Sequence, residues 1–274
     1  ICRFNNAGTI KNKKGINVPG VTLTMPFVSE KDYEDIKFGC NQGVDLIALS
    51  FVRRKEDVEE VRNILKTFGK PNIEIISKIE NQEGLNNIES IIEVSDGIMV
   101  ARGDLGVEVA PELVPLYQKK IIALANAAGK PVITATHMME SMINNPRPTR
   151  AEASDVANAI LDGCDAVMLS GESAIGKYPV ETVQYMNKIA LATEATINYE
   201  DHLRTNQKYN TFSKSEAIGA CVSECCLTLE KVQAIFAFTE TGGTAKRICK
   251  FRPSVPIIAC TDSAETCRRL SYYF

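Results

Sequence analysis

The sequence predicts an α/β fold with a parallel sheet, because short apolar strands alternate with amphipathic helices from residue 29 to about residue 200. Strands that alternate with helices pair in parallel and are joined by right-handed crossovers. The candidate strands are continuous apolar runs, as strands buried on both faces are, and they span 43–51, 73–80, 95–102, 131–136 and 165–170. The amphipathic runs around them predict helices over 29–42, 55–69, 83–94, 112–129, 151–163 and 179–195.

Capping residues support these helix boundaries. Ser29 followed by Asp32 is typical of a helix start, because the two side chains can accept the first unpaired amides. Gly129 followed by Lys130 and Pro131 is typical of a helix end, because glycine readily adopts the left-handed conformation that closes many helices. The first predicted helix and the helix before residue 130 therefore have defined ends.

Polar side chains at the strand ends favour a barrel over an open doubly wound sheet. They follow successive strands, at the carboxyl ends where β/α barrels build their sites. No GxGxxG motif follows the first strand, which weakens the dinucleotide-binding alternative. The sequence thus predicts the last five strand–helix units of a TIM (β/α)8 barrel, with three more strands expected upstream of residue 1. The polar residues at the strand ends are Ser50, Arg53, Lys78, Glu80, Arg102, Asp104, Thr136, Ser170 and Glu172.

The pattern changes after residue 200 and predicts part of a second α/β domain. The polar segment 201–216 is interpreted as a linker, followed by a helix that ends near residue 229. A strand over 232–240, a glycine loop, a helix over 244–252 and a strand over 256–261 come next. The predicted barrel portion is therefore 26–200, and the incomplete second domain is 201–274.

Composition narrows the possible functions. A net charge of −3 and a pI of about 5.6 provide no basic surface for nucleic acid. No run approaches the roughly 18 apolar residues that a membrane span needs. The nine cysteines show no CxxC spacing, which argues against a zinc ribbon and favours reduced thiols in the cytoplasm. Helical spacing of Cys221, Cys225 and Cys226 predicts that these thiols lie in a core.

Lys78 and Glu80 are the most informative pair of residues. They lie two positions apart at the end of an apolar strand, so both side chains share one face of the sheet. Taken alone, they are more simply a solvated ion pair. The segment 101–106 is interpreted as an anion-binding glycine loop that carries Asp104. Glu80 and Asp104 together offer two hard oxygen ligands, which suit Mg²⁺. Thr136 ends the next strand, where a hydroxyl is more often structural than catalytic.

Long segments of the chain resemble the pyruvate kinase family. They are SKIEN (77–81), MVARGDLGVE (99–108), GKPVITATHM (129–138), NPRPTRAEASDVANA (145–159) and DAVMLSGESAIGKYP (165–179). KKGINVPG (13–20) resembles the return from the family's lid domain, which makes 1–25 the end of that lid, and TETGGTAKRI (239–248) resembles its phosphate loop in the C-terminal domain. His137 stands where many members carry Gln, and Ser173 where many carry Thr.

The resemblance implies a reaction and a set of site residues. The family transfers the phosphoryl group of phosphoenolpyruvate to ADP, giving pyruvate and ATP, with Mg²⁺ or Mn²⁺ and usually K⁺. At matching positions, Lys78 would stabilise the transferring phosphoryl group, and Glu80 and Asp104 would bind the divalent ion. Thr136 would be catalytic near the methylene carbon that is protonated. The substrate carboxylate would be held by the backbone of Ala101, Arg102, Gly103 and Asp104.

The resemblance also implies regulation and assembly. The family is cytoplasmic and commonly forms homotetramers. A sugar-phosphate or nucleotide effector would bind the second domain at Thr239, Thr241, Gly242, Gly243 and Thr244. An ordinary strand-to-helix turn explains the same glycines about as well.

Two other functions remain open from the residues. A metal-dependent carbon–carbon lyase on a related barrel would also use Mg²⁺ and an acidic pair. Lys78, the lid return and the second domain argue against that class. A non-catalytic polypeptide that binds ligand or partner subunits is the other alternative, since the upstream barrel strands are not in this chain.

Overall fold

The structure is a computed structural model that describes residues 7–9, 18–21, 25–209 and 213–274. Most of the predicted lid segment, 1–25, lies outside the described residues. The first domain consists of α1 (Glu30–Gln42), β1 (Leu46–Leu49), α2 (Lys55–Thr67), β2 (Glu74–Ile79), α3 (Gln82–Asn86), α4 (Ile88–Val94), β3 (Gly97–Ala101), α5 (Arg102–Glu108), α6 (Val114–Ala127), β4 (Val132–Ala135), α7 (Arg150–Leu161), β5 (Ala166–Met168), α8 (Gly171–Ala174) and α9 (Pro179–Glu194). Two 3₁₀ turns, Pro111–Leu113 and Glu140–Ile143, precede α6 and α7.

The five strands of this domain form one parallel sheet in the order β1-β2-β3-β4-β5. Each strand pairs with the next one along the chain, for example Lys78 with Met99 and Ala101 with Ala135. A doubly wound sheet would reverse its strand order at a switch point, and this sheet has none. The predicted α/β class with a partial barrel is confirmed.

Alternation along the strands separates two apolar layers. Ile75 and Ile79 of β2 pack outward, in the large cluster between the sheet and the helices. Ile76 packs inward with Met99 and Ala135, on the concave face. Lys78 has the same parity as Ile76, so its side chain begins on the inner face of the sheet.

The capping signal predicted at Ser29 is confirmed, and two further caps define helix ends. The Ser29 hydroxyl accepts the Asp32 amide, and the Asp32 carboxylate accepts the Ser29 amide at 2.9 Å, which forms a capping box. Gly43 closes α1 with a φ of 70°, in the left-handed region where glycine carries no steric cost. Thr149 and Glu152 form a second capping box at the start of α7.

Two details of the predicted first domain are wrong. The predicted helix over 83–94 is broken at Asn87, whose side chain donates to the Arg53 carbonyl oxygen at 2.9 Å and separates α3 from α4. The segment 101–106 is not a loop, because β3 passes directly into α5.

The second domain contains α10 (Tyr199–Tyr209), α11 (Lys214–Thr228), β6 (Ile235–Phe238), α12 (Gly243–Cys249), β7 (Ile257–Cys260) and α13 (Ala264–Leu270). Strands β6 and β7 form a parallel pair. The interpretation of 201–216 as a linker is wrong, because α10 is a helix whose Leu203 is buried with Ala220 and Phe251. The predicted core position of the α11 cysteines is also wrong, since Cys221 and Cys225 are exposed.

Ion pairs join the second domain to the amino-terminal ends of the barrel strands. Lys246 of α12 lies 2.5 Å from Glu74, the first residue of β2. Arg268 of α13 lies 2.7 Å from Asp45, just before β1. Arg252 lies 3.1 Å from Asp165, just before β5, and also donates to the Gly163 carbonyl oxygen at 2.7 Å. The second domain therefore packs at the end of the sheet opposite the polar strand ends.

No helix in the described part of the chain is long and apolar enough to cross a membrane.

The Arg252–Asp165 pair is expected to contribute strongly to stability. Both side chains are almost fully buried, at 8% and 4% exposure. Arg252→Met leaves the Asp165 carboxylate buried without its cation, so we expect the free energy of unfolding to fall by about 3–5 kcal/mol. Urea denaturation followed by circular dichroism measures this change. Arg268→Met removes an exposed interdomain cation and serves as the matched control, with little shift expected in its midpoint. Equal midpoints for the two variants would contradict the prediction.

Candidate active site

Lys78 and Glu80 meet at the carboxyl end of β2, as their spacing predicts. Lys78 Nζ lies 2.6 Å from Glu80 Oε1, and it donates a hydrogen bond to Ser50 Oγ at 2.9 Å. The Lys78 side chain is 23% exposed, whereas Glu80 is fully buried. The ammonium group can therefore face a ligand while the carboxylate lies beneath it.

A backbone amide from the neighbouring strand end fixes Glu80. Phe51 follows β1 and donates its N–H to Glu80 Oε2 at 2.6 Å. Its φ is 55°, in the left-handed region that non-glycine residues rarely occupy. Asn81, the next residue after Glu80, donates its side-chain amide to the Val52 carbonyl oxygen at 3.3 Å and caps α3. The ends of β1 and β2 are thus held together around the carboxylate.

The surroundings of Glu80 suit a bound cation. Burial raises the pKa of Glu80, and the negative charge of Asp104 raises it further, whereas Lys78 and the Phe51 amide lower it. Oε1 is buried, and its contact within the described residues is the ion pair with Lys78 at 2.6 Å. A divalent ion would compensate the charges of both carboxylates.

Two carboxylates are close enough at this site for the charge of Asp104 to act on Glu80. No group of three or more His, Cys, Asp or Glu side chains among the described residues could hold an ion. Mg²⁺ typically binds one or two carboxylates and takes its other oxygens from water and substrate phosphates. Glu80 and Asp104 therefore fit this ion as donors.

Gly103 and Thr136 join the ends of β3 and β4. The Gly103 N–H donates to Thr136 Oγ1 at 2.8 Å, and that hydroxyl donates to the Ala135 carbonyl oxygen at 2.7 Å. A Cβ atom at position 103 would lie 3.1 Å from Thr136 Oγ1, so the close approach favours glycine. Thr136 and His137 have φ values of 68° and 54°, a strained pair directly after the strand.

The Arg102 side chain connects the end of β4 to helix α7. It is buried, donates to the Thr136 carbonyl oxygen at 2.6 Å and forms an ion pair with Asp155 of α7 at 2.8 Å. Ala101 ends β3, and Arg102, Gly103 and Asp104 form the first turn of α5. The Gly103 amide is bonded to Thr136, and the use of this turn to bind a carboxylate stays a prediction.

The Phe51 amide and Asp155 are site components that the sequence did not reveal. Phe51 acts through its backbone, which no residue type identifies. Asp155 lies 53 positions from its partner Arg102, and an ion pair over that separation has no periodic signal in the chain. The opposite charges of the two residues, one after β3 and one on α7, were the only available hint.

The glycine loop of the second domain joins β6 to α12, as predicted. Gly242 caps α12 in the left-handed conformation, with a φ of 85°. Thr241 and Thr244 are exposed beside it, while the Thr239 amide is bonded to the Cys260 carbonyl oxygen at 3.0 Å. The exposed hydroxyls could contact a phosphate, but the Thr239 amide is already used by the strand pair.

Parallel strands in chain order, with charged and hydroxyl groups gathered at their carboxyl ends, define this chain as part of a β/α-barrel protein with a second α/β domain. Sequence models of pyruvate kinase match both parts, the barrel domain over residues 1–183 and the alpha/beta domain over residues 216–274. The chain therefore belongs to the pyruvate kinase family, which confirms the resemblance.

Several curated relatives are similar over nearly the whole chain. The pyruvate kinase of Sporosarcina psychrophila is 57% identical over 97% of this chain and 45% of its own length. That of Bacillus licheniformis is 55% identical over 100% of this chain and 47% of its own length. That of Clostridium acetobutylicum is 52% identical over 99% of this chain and 57% of its own length. The chain thus spans about half the length of the curated relatives it matches.

Removal of one predicted ligand should weaken metal binding. Glu80→Gln keeps the size of the side chain but removes the charge, so we expect Mn²⁺ affinity to fall at least about 10- to 100-fold, the loss typical even for groups that only support metal ligands. Electron paramagnetic resonance of free Mn²⁺ measures this without reference to activity. Glu74→Gln, at the other end of β2, is the matched control and should bind Mn²⁺ normally. Unchanged affinity in Glu80→Gln would remove Glu80 from the metal site.

Proposed function

We propose that the protein containing this chain transfers the phosphoryl group of phosphoenolpyruvate to ADP, giving pyruvate and ATP. The observation that carries this proposal is the position of Lys78, whose ammonium group is partly exposed 2.6 Å from the buried Glu80 carboxylate. Phosphoryl transfer depends mostly on positioning and on charge stabilisation. A cation held in place beside an acidic metal site offers both.

The site residues have separate roles in this proposal. Lys78 stabilises negative charge on the transferring group, and Ser50 orients it through the hydrogen bond to its ammonium group. Glu80 and Asp104 hold Mg²⁺ or Mn²⁺, which when bound neutralises charge on the phosphate oxygens. A K⁺ requirement is proposed on family membership.

Thr136 and the first turn of α5 complete the substrate site. The backbone from Ala101 to Asp104 binds the substrate carboxylate at a helix start, where the first amides have no partner within the helix. The Gly103 amide of this turn is bonded to Thr136 Oγ1. Thr136 Oγ1 accepts the Gly103 N–H at 2.8 Å, and this contact supports a position of the hydroxyl beside that carboxylate and near the methylene carbon that gains a proton. The pair of left-handed residues after β4 fixes the direction of this hydroxyl.

Family membership and the free cysteines support a proposal about where the protein works. All cysteines of the described residues are free, which suits a reducing compartment. We therefore propose a cytoplasmic enzyme that assembles as a homotetramer.

Loss of the Lys78 charge should reduce turnover strongly. Lys78→Met in the complete protein should lower kcat by about 10²- to 10³-fold, the loss typical when one fixed charge-stabilising group is removed. A lactate dehydrogenase-coupled assay measures pyruvate formation. Lys37→Met, an exposed lysine on α1, is the matched control and should turn over normally. Near-normal turnover by Lys78→Met would contradict the assigned role.

The same assay separates phosphoryl transfer from lyase chemistry. Pyruvate should form from phosphoenolpyruvate only when ADP is present, because ADP accepts the phosphoryl group. Pyruvate formation without ADP would favour the other class of enzyme.

We also propose that Thr239, Thr241, Gly242, Gly243 and Thr244 bind the phosphate of a sugar-phosphate or nucleotide effector. The exposed hydroxyls of Thr241 and Thr244, beside the left-handed Gly242, support this assignment.

An effector at this loop should depend on its hydroxyl groups. A panel of sugar phosphates and nucleotides is titrated against activity, and at least one should change the half-saturating concentration of phosphoenolpyruvate. Thr244→Ala should weaken that response about 10- to 100-fold, because it removes a hydrogen bond to a charged group. Thr228→Ala, an exposed threonine at the end of α11, is the control. A flat response to the whole panel would leave the loop a structural turn.

A further inference from the structure

Glu172 is a fully buried carboxylate to which the proposed mechanism gives no role. It lies in α8, just after β5, and its side chain has 0% exposure. Oε1 accepts the Met139 N–H at 3.0 Å, and Oε2 accepts the Ser170 N–H at 2.8 Å. Burial of a carboxylate is costly unless hydrogen bonds compensate it. Both oxygens of Glu172 accept backbone amides, so the carboxylate holds the main chain in place at two positions.

The two amides belong to the loops after neighbouring strands. Ser170 follows β5, and Met139 follows β4, whose Ala135 pairs with Met168 at the last register position. Further contacts join the same loops: Lys177 donates its N–H to the Ile143 carbonyl oxygen at 2.9 Å. Glu172 therefore connects the loops after β4 and β5 through these two hydrogen bonds. This connection is called the tie below.

The segment that this tie holds begins with Thr136. Thr136 and His137 both have left-handed backbones, and each such residue costs on the order of 1–3 kcal/mol. Such a conformation persists only when the surroundings fix it. Arg102 and Gly103 hold Thr136 from the side of β3, through its carbonyl oxygen and its hydroxyl. Glu172 holds the other end of the turn, three residues later.

We propose that Glu172 is a positioning residue that fixes the turn 136–139 and thereby the direction of the Thr136 hydroxyl. This inference rests on the role proposed above for Thr136. Two amide donors require two acceptor oxygens, and an ionised carboxylate supplies them. A glutamine at this position would place its NH₂ group against one of the amides. The turn would then lose one of its two attachments.

Turnover in the complete protein provides the first test. Glu172→Gln should lower kcat by about 10- to 100-fold with little change in KM for ADP, because small displacements of a catalytic group cost rate more than binding. Combined with Thr136→Val, it should cause no further loss, since both changes remove the same contribution. Losses that multiply in the double variant, or an unchanged kcat in Glu172→Gln, would overturn the proposal. Glu216→Gln, a capping carboxylate of α11, is the matched control and should keep kcat.

Amide exchange provides a second test that does not depend on activity. The Met139 amide or the Ser170 amide, whichever faces the new NH₂ group, should exchange with solvent deuterium about 10- to 100-fold faster in Glu172→Gln, the effect of losing a hydrogen bond to a charged group. Unchanged protection of both amides would overturn the tie itself. If the complete protein lacks phosphoryl transfer but the exchange rate rises, the proposed function fails and the tie stands. Should Glu172→Gln not fold, Glu172→Asp keeps the charge on a shorter side chain, and it should show the same two effects in weaker form.

Discussion

The buried carboxylate of Glu80 is the constraint around which the candidate site is arranged. A buried negative charge needs compensation. The Lys78 ammonium group at the end of β2 and the Phe51 N–H after β1 supply it. The left-handed backbone at Phe51 is the local cost of aiming an amide at the carboxylate. Glu80 is therefore held between an ammonium group and a backbone amide, and we propose that it binds a divalent ion from this position.

The two ends of the sheet have different tasks. At the carboxyl ends, charged and hydroxyl groups follow the strands, with left-handed residues after β1 and β4. At the amino ends, Asp45, Glu74 and Asp165 form ion pairs with the second domain. Strand β2 contributes a charged residue at each end of the sheet: Glu74 is its first residue, and Lys78 lies near its last. The packing of the second domain therefore leaves the proposed substrate side free.

Features with a short repeat could be predicted from the sequence, and features that depend on distant partners could not. The i, i+2 spacing of Lys78 and Glu80 placed both at one strand end, because alternation along a strand is fixed by geometry. The ion pair of Arg102 with Asp155 brings together two elements distant in the chain, and no local pattern records it. The mostly polar segment 201–216 predicts a linker, yet Leu203 in it packs α10 against Ala220 and Phe251.

The bond from Phe51 to Glu80 uses the main chain, and this affects how substitutions at position 51 will be tolerated. The Phe51 side chain is exposed and contributes no atom to the bond, so many residue types could supply the same amide. Asparagine and glycine would adopt the required backbone with less strain. Proline has no N–H, and its ring holds φ near −65°, so it alone would remove both the donor and the conformation. The bond itself therefore requires of position 51 only an N–H and a left-handed backbone, and not a particular side chain.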